Sequence, residues 1–169
     1  MKIIITGGSG FIGANYVLRQ VLVNKNIVLN IDKLSYAANT SNLESVDNHP
    51  NYSFLKADIC DNTKIQESIF EFNPDAIVHF AAESHVDRSI NNPIQFIHSN
   101  ILGTATLLDN ANKYYRQKKN DFRFIHISTD EVFGSLGKTK YFNESSSYNP
   151  SSPYSASKAS ADHLVRAWY

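Results

Sequence analysis

The chain has 169 residues, with 16 basic and 16 acidic side chains and a formal net charge of zero. This balance gives no electrostatic attraction for nucleic acid or an anionic membrane surface, so we expect neither as a partner. The single cysteine, Cys60, excludes an internal disulfide framework and zinc-finger spacing, so we expect no metal and a protein of the reducing cytoplasm.

The first predicted elements are a short strand, a glycine-rich turn and a helix. Ile3, Ile4 and Ile5 form a β-branched run that suits a buried strand, and four of the seven glycines then fall between positions 7 and 13. Gly7 allows a sharp turn, Gly10 lets the backbone approach a pyrophosphate, and Gly13 lets the helix pack against the strand. The amides of the helix N-terminus would then face the anion. A tight turn without a ligand is the alternative interpretation.

A second apolar strand, Ile27–Ile31, ends at Asp32. The helix before it, Phe11–Val23, is expected to turn five apolar side chains toward the sheet: Ile12, Val17, Leu18, Val21 and Leu22. An acidic residue at the end of the second strand can accept hydrogen bonds from the adenosine ribose and repels a 2′-phosphate. Asp32 therefore favours NAD over NADP, and Lys33 weakens this preference without reversing it. An ordinary polar strand end is the alternative.

Strands and helices continue to alternate along the chain. The predicted elements are a strand at Tyr52–Lys56, a helix at Thr63–Phe72 capped by Asp61, a strand at Ala76–Phe80, a helix at Pro93–Gln117 and a strand within Asp121–Thr129. This order predicts an α/β fold: a Rossmann-like, doubly wound parallel sheet with helices on both faces. No apolar run approaches the ~20 residues of a membrane span. Because Met1-Lys2 leads directly into the first strand, we expect no signal peptide.

Polar side chains follow the fourth and fifth strands, at the sheet edge where open α/β folds bind ligands. The small residues Ala81 and Ala82 would let a flat ligand lie against the backbone, and a polar cluster continues from Glu83 to Arg88. Four consecutive polar residues, Ser128 to Glu131, leave the fifth strand. Asp58, after the third strand, is placed to bond an adenine amino group or to cap a helix.

Tyr154 and Lys158 lie four residues apart in the last predicted helix, so their side chains share one face. A lysine ammonium near a tyrosine hydroxyl lowers the pKa of the phenol, and a nicotinamide cation would add to this effect. The phenolate could then act as a general base toward an alcohol that is being oxidised.

Together, these motifs resemble the extended short-chain dehydrogenase/reductase family, and within it the dTDP-glucose 4,6-dehydratases. The resemblance spans essentially the whole chain and rests on GGSGFIG (7–13), DKLSYA (32–37), AAESHVDRSI (81–90), STDEVFG (128–134) and YSASK (154–158). The adjacent Asp-Glu pair is the specific feature, because the related sugar epimerases lack it. Two positions depart from the pattern: Phe133 stands where tyrosine is usual, and Ser99 where threonine is usual.

The resemblance implies NAD as the cofactor and a nucleotide sugar, dTDP-glucose, as the substrate. NAD would contact Gly7, Gly10, Phe11, Ile12, Gly13, Asp32, Lys33, Leu34, Ser35, Asp58, Ile59, Phe80, Ala81, Ala82, Ser84, Ser99, Tyr154 and Lys158. The sugar would contact Ser84, Thr129, Asp130 and Glu131.

The same resemblance implies a catalytic set of Thr129, Asp130, Glu131, Tyr154 and Lys158. Tyr154 would take the proton of the sugar 4-hydroxyl, held by Thr129, as hydride leaves C4 for NAD. Glu131 would remove the acidified C5 proton, and Asp130 would protonate the departing C6 hydroxyl before hydride returns to C6. Adjacent carboxylates in different environments can hold the two protonation states that these roles need.

Other interpretations remain open. A UDP-glucose 4,6-dehydratase is not distinguished by these motifs, because the residues that contact the nucleotide base lie downstream in the resembled family. A UDP-glucuronate decarboxylase, in contrast, should not need Asp130. A non-catalytic NAD-binding protein of the same fold would typically lose the Tyr-Lys pair.

Two expectations concern the whole protein. The helix Pro93–Gln117 and the helix from Ser152 onward are both too apolar for one buried face, and in the resembled family the corresponding helices pair across a two-fold axis, so we expect a homodimer through these helices. The apolar pattern of the last helix still continues at Trp168. We therefore expect residues 1–169 to form the NAD-binding domain of a longer chain, with the substrate domain outside them.

Overall fold

The computed structural model describes residues 1–118, 121–137 and 141–169. In these residues five strands pair in parallel, in the order β3-β2-β1-β4-β5. Their bounds are β1 (Lys2–Thr6), β2 (Ile27–Asp32), β3 (Tyr52–Lys56), β4 (Ala76–His79) and β5 (Arg123–His126). The sheet grows outward in both directions from β1, so the predicted doubly wound α/β fold is confirmed.

The helices lie between the strands as predicted. Their bounds are α1 (Phe11–Leu18), α2 (Asn62–Phe72), α3 (Val86–Asn91), α4 (Pro93–Phe96), α5 (Gly103–Lys118) and α6 (Pro153–Ala167), with 3₁₀ turns at Thr40–Val46 and Asp130–Phe133. Asp61 caps α2, because its Oδ1 accepts a hydrogen bond from Lys64 N (3.1 Å). No helix in the described ranges combines the length and apolar character needed to cross a membrane.

The core has two layers, one on each face of the sheet. Alternate residues of β1 point to opposite faces, so Ile4 packs with α2 and α5 while Ile3 and Ile5 pack with α1. Ile4 and Ile5 are fully buried, and each contributes roughly 2–3 kcal/mol through removal of its side chain from water. The two layers hold the strands rigidly and place all their carboxyl ends at one edge.

Two helices contain π-helical segments that the sequence pattern did not predict. Arg19–Val23 continues α1, and Ile97–Leu102 joins α4 to α5. In the first segment Gln20 turns into the protein, where its Oε1 accepts hydrogen bonds from the Asn24 and Asn26 amides (3.1 and 2.7 Å). The wider turn changes which side chains face the sheet.

The predicted inward-facing set of the first helix is therefore partly wrong. Val17 and Val21 are buried, but Leu22, in the π-helical segment, is 39% exposed. Ile12 is 64% exposed because it lies in the first turn of α1, at the mouth of the cleft described below rather than over the sheet.

The fifth strand lies within the predicted stretch Asp121–Thr129. Its ladder pairs Arg123–His126 with Ala76–His79 of β4, so the strand ends where its neighbour ends. Ser128 and Thr129 therefore lie beyond the sheet, and Asp130 and Glu131 begin a 3₁₀ turn. The loss of strand pairing frees this stretch to turn toward α6.

Candidate active site

A cleft of about 540 Å³ opens at the carboxyl edge of the sheet, where the ends of β1, β2, β4 and β5 meet α6. It is lined by most of the residues expected to contact a cofactor: Gly7, Gly10, Phe11, Ile12, Gly13, Asp32, Lys33, Ser35, Ile59, Phe80, Ala81, Ala82, Ser84, Ser99, Tyr154 and Lys158. Residues singled out from widely separated motifs therefore share one cavity.

The turn after β1 forms the floor of this cleft. Gly7 has a positive φ of 72°, and a Cβ there would lie 2.5 Å from the backbone nitrogen of Ala81. A Cβ at Gly13 would overlap the carbonyl oxygen of Gly7. The glycines thus let the turn pack against both β4 and α1. Helix α1 begins after Gly10 without a side-chain cap, which leaves its first backbone amides available to an anion.

Asp32 is held at the end of β2 by two backbone amides. Its Oδ2 accepts a hydrogen bond from Ser9 N (3.0 Å) and its Oδ1 from Leu34 N (2.8 Å). A carboxylate has about four acceptor positions, so both oxygens can still accept hydrogen bonds from hydroxyl groups in the cleft. Leu34 adopts a positive φ of 59° and does not line the cleft.

Lys33 turns its ammonium away from Asp32 and into an ionic cluster. Its Nζ lies 3.0 Å from Oε1 of Glu83, which is only 2% exposed, and donates a hydrogen bond to Ser99 Oγ (2.7 Å). Asp58 lies further away, at 3.8 Å. Because these partners engage the ammonium, it is poorly placed to receive a phosphate beside Asp32.

Asp58 stabilises a local turn in this structure. Its Oδ1 accepts a hydrogen bond from Cys60 N (2.9 Å), and Asp58 itself does not line the cleft. Its predicted contact with an adenine amino group stays a prediction.

The π-helical segment Ile97–Leu102 fixes the wall of the cleft through Asn100. The Asn100 amide accepts from Glu83 N (2.8 Å) and donates to Glu83 O (2.9 Å) and Ser157 Oγ (2.9 Å). Ser157 in turn donates to Tyr154 O (2.7 Å). One buried side chain thus connects the end of β4 to the helix that carries Tyr154.

Tyr154 is buried in the wall of the cleft, with its ring edge-on to Phe96 at a centroid distance of 6.3 Å. Burial raises the pKa of its phenol, the nearby Thr129 hydroxyl lowers it by hydrogen bonding, and Glu131 and Asp130 raise it through their charges. These effects place the Thr129 hydroxyl and the Asp130 and Glu131 carboxylates near the Tyr154 phenol, although these three residues do not line the cleft itself.

Lys158 shares the face of α6 with Tyr154, but its ammonium donates to Ile127 O (2.7 Å). Burial lowers the pKa of Lys158 to about 8, against an opposing effect of Asp162. The expected lowering of the Tyr154 pKa by Lys158 is not found: the pKa is raised, because burial outweighs the other effects and Lys158 is turned toward the backbone of β5.

Three residues of this site were not predicted to have a role in it. Asn100 supports the wall, and His126 and Asp162 lie behind Lys158. The spacing of Asp162, four residues after Lys158 on the same helix face, was a usable signal for one of them. Glu83 and Ser128 belong to the polar stretches predicted at this edge: Glu83 supports the wall and Ser128 lines the cleft. Among the described residues, no cluster of three or more His, Cys, Asp or Glu side chains could hold a metal ion.

A glycine turn, an acidic end to β2 and a deep cleft at the carboxyl edge of a doubly wound sheet define a dinucleotide-binding α/β protein. The chain belongs to the GDP-mannose 4,6 dehydratase family, whose model matches residues 4–169.

Relatives of known name agree with this assignment. The chain is 52% identical to the dTDP-glucose 4,6-dehydratase of Haemophilus influenzae, over 100% of this chain and 52% of the relative. It resembles a crystal structure of the Bacillus anthracis dTDP-glucose 4,6-dehydratase in complex with NAD, with 41% identity, a TM-score of 0.87 and coverage of 100% and 50% of the two chains. It also resembles the Streptomyces venezuelae dTDP-glucose 4,6-dehydratase with NAD bound, with 42% identity, a TM-score of 0.90 and coverage of 99% and 51%. The chain thus spans about half the length of the relatives it matches.

Proposed function

We propose that the protein acts as an NAD-dependent nucleotide-sugar 4,6-dehydratase whose substrate is dTDP-glucose. The observation that carries this proposal is the grouping of Thr129, Asp130 and Glu131 around Tyr154 at the edge of a dinucleotide cleft. A dehydratase needs a base for a hydroxyl, a base for a carbon acid and an acid for the leaving group, and this group supplies all three. The named relatives support the same substrate.

The cleft fits NAD on three counts. The uncapped start of α1 offers backbone amides to a pyrophosphate, and Gly7 and Gly10 line the cleft beside them. Asp32 can accept from ribose hydroxyls. The engagement of Lys33 by Glu83 and Ser99 leaves no free cation among these residues for a 2′-phosphate.

In this proposal the chain's own residues position the sugar and move its protons. Tyr154, as the phenolate that the positive charge of a bound nicotinamide ring would favour against the effect of burial, takes the proton of the 4-hydroxyl, and Thr129 holds that hydroxyl by a hydrogen bond. Glu131 removes the C5 proton, which the neighbouring ketone acidifies, and Asp130 gives its proton to the leaving C6 hydroxyl, which departs as water. The cofactor, when bound, would supply the acceptor for the C4 hydride and its donor to C6, and Glu131 would return the proton to C5 as hydride reaches C6.

The assay is to offer dTDP-glucose, UDP-glucose and GDP-mannose separately to the protein in its full natural length and to measure the 4-keto-6-deoxy product. The proposal expects turnover to be fastest with dTDP-glucose. Faster turnover of UDP-glucose or GDP-mannose would make that sugar the assigned substrate instead. Absence of a keto product from all three would contradict the proposed function.

The cofactor is tested separately by titrating the folded protein with NAD and NADP. We expect tighter binding of NAD, and Asp32→Ala should reduce this preference because it removes the negative charge that repels a 2′-phosphate. Equal or tighter binding of NADP by the natural sequence would contradict the assignment.

The proposal includes a homodimer formed through the helices near the cleft. Ile94, Ile97 and Leu102 are 69%, 48% and 50% exposed on α4 and the adjoining π-helical segment. Exposed apolar side chains that are grouped in this way are typical of subunit contacts. Their arrangement supports a second copy of this chain as the partner, with the same face presented by each subunit.

A further inference from the structure

A hydrogen-bond network lies behind the cleft, between α6 and the end of β5, and the proposed proton transfers do not use it. Asp162, one turn beyond Lys158 on α6, is its centre. Its Oδ2 accepts hydrogen bonds from Ser128 Oγ (2.6 Å) and Tyr148 OH (3.0 Å), and its Oδ1 lies 3.2 Å from His126 Nε2. One carboxylate therefore joins α6, the end of β5 and the stretch that precedes α6.

The surroundings of His126 determine which of its ring nitrogens carries the proton. Burial lowers the pKa of His126, so the ring is neutral near neutral pH. Burial opposes ionisation of Asp162, but hydrogen bonds from His126, Ser128 and Tyr148 hold the pKa of its carboxyl below the usual value, so it only accepts. We assign the proton to Nε2, which donates to Asp162. Nδ1, which is buried without a partner in the described residues, then carries none.

This assignment explains the position of the Lys158 ammonium. Its Nζ lies 3.4 Å from His126 Nε2, where it meets an N–H rather than a lone pair, so it donates to Ile127 O at 2.7 Å. Asp162 thus acts on Lys158 in two ways, through the tautomer of His126 and through its own negative charge.

Other titratable or charged groups also face this region from each packed element. They are His79 on β4, His126 on β5, Asp130 and Glu131 on the 3₁₀ turn, Tyr148 before α6, and Tyr154, His163 and Arg166 on α6. Asp162 differs from the other carboxylates because it accepts a hydrogen bond from Ser128, which lines the cleft and precedes Thr129 in the chain.

We infer that Asp162 is a positioning residue: it locks the end of β5 to α6 and supplies the negative charge that faces Lys158 and Tyr154. Its effect on turnover rests on the proposed function, whereas its effect on the protonation of Lys158 does not. Removing this charge favours the forms of Lys158 and Tyr154 that have lost a proton, so both should titrate at lower pH.

The first test follows the titration of Lys158 by NMR in the full natural chain with lysines isotopically labelled at Cε. The signal is assigned by its disappearance in Lys158→Arg. We expect a midpoint near pH 8 in the natural sequence and a midpoint lower by about half a unit or more in Asp162→Asn. Asp109→Asn is the matched control, because Asp109 is a helical acid paired with Lys113 at the surface. An unchanged midpoint in Asp162→Asn would overturn the inference.

The second test uses turnover of dTDP-glucose, and it remains available if Asp162→Asn does not fold. Tyr148→Phe keeps the charge of Asp162 but removes one of its hydrogen bonds. We expect kcat to fall about tenfold in Asp162→Asn and about threefold in Tyr148→Phe, with KM within about twofold in both. Both limbs of the plot of kcat against pH should move to lower pH in Asp162→Asn but not in Tyr148→Phe.

The outcomes separate the inference from the function. A normal kcat in Tyr148→Phe, or a fall in kcat in Asp162→Asn that only follows a loss of folded protein, would contradict a positioning role. If the natural sequence forms no keto product at all, the proposed function fails, and the Lys158 titration still decides the inference.

Discussion

At the scale of single residues, two charged side chains are buried in and around the cleft, and their surroundings differ. Glu83 is 2% exposed and has a cation, Lys33, 3.0 Å away. Lys158 is 4% exposed and donates to a backbone carbonyl. Burial disfavours the charged form of an amine, and this is why the pKa of Lys158 falls to about 8 although Asp162 opposes the shift.

The lowered pKa of Lys158 predicts how stability changes with pH. The folded value is about 8 and the unfolded value 10.5, so between these values the unfolded chain binds the proton more tightly and rising pH favours the folded state. Relative to Lys158→Met, the natural sequence should gain about 2 kcal/mol in the free energy of unfolding between pH 8 and 10. Denaturant titrations at several pH values measure this gain.

The control for this prediction is Lys113→Met. Lys113 forms a surface pair with Asp109 and is 46% exposed, so its replacement should leave the slope of stability against pH unchanged. Parallel slopes for the natural sequence and Lys158→Met would show that Lys158 keeps an ordinary pKa.

The proposed division of roles predicts different defects for two residues near Tyr154. Glu131→Gln should stop exchange of the C5 proton with solvent while leaving oxidation at C4 measurable. Tyr154→Phe should slow oxidation at C4 itself, by about a hundredfold, because it removes the general base. Solvent deuterium incorporation and rapid quench of the 4-keto sugar measure the two steps.

Glu71→Gln is the matched control for Glu131→Gln. Glu71 is exposed near the C-terminal end of α2, at the opposite edge of the sheet from the cleft, so both steps should remain normal. The division of roles is wrong if Glu131→Gln abolishes C4 oxidation yet leaves C5 exchange intact.

At the scale of elements, the turn between β1 and α1 gives the sharpest prediction. Gly7→Ala places a Cβ 2.5 Å from Ala81 N at a φ of 72°, and the strain and overlap together should lower the free energy of unfolding by about 3 kcal/mol. Binding of NAD should weaken as well, because the turn moves. Thermal unfolding and cofactor titration measure both effects.

Gly137 provides the comparison, because a Cβ there meets no atom of the described residues within 4 Å and its φ is not in the left-handed region. Gly137→Ala should change stability by no more than about 0.5 kcal/mol. Equal stability of the two variants would mean that the turn after β1 can relax around an added methyl group.

The elements also show what can be read from the sequence and what cannot. Apolar runs such as Ile3–Ile5 and Ala76–Val78 predict their strands, because a buried parallel strand is apolar on both faces. The π-helical segments could not be predicted, since one extra residue in a turn leaves the local composition unchanged. Where β5 ends within the predicted stretch could not be read from its own sequence, because it depends on where β4 stops, which is a property of pairing.

The residues of the site divide in the same way into those that the sequence predicts and those that it does not. The cleft residues lie in recognisable local motifs, and the structure brings most of them together. Asn100, His126 and Asp162 were missed because their roles come from contacts between distant segments. The direction of the Lys158 ammonium also depends on such a contact, with Ile127 O, so spacing alone gave the wrong effect on Tyr154.

At the scale of the whole molecule, the apolar face on α4 and the π-helical segment after it predicts assembly. Ile94→Glu should convert a dimer to a monomer at micromolar concentration, because it places a charge in the centre of the proposed contact. Val23→Glu is the control: Val23 is exposed to the same 69% as Ile94 but lies on α1's continuation, away from that face. Light scattering that shows a monomer for the natural full-length protein would contradict the dimer.

The π-helical segment Ile97–Leu102 has a consequence for insertions and deletions. Its wider turn places the neighbours Ser99 and Asn100 both on the inside, where they bond Lys33 and the end of β4. Deleting one residue there would restore an ordinary α-helix and rotate everything on one side of it by about 100° relative to the other. A substitution in this segment alters a single contact. A change of its length by one residue would instead disturb both the contacts at the cleft and the position of the apolar face.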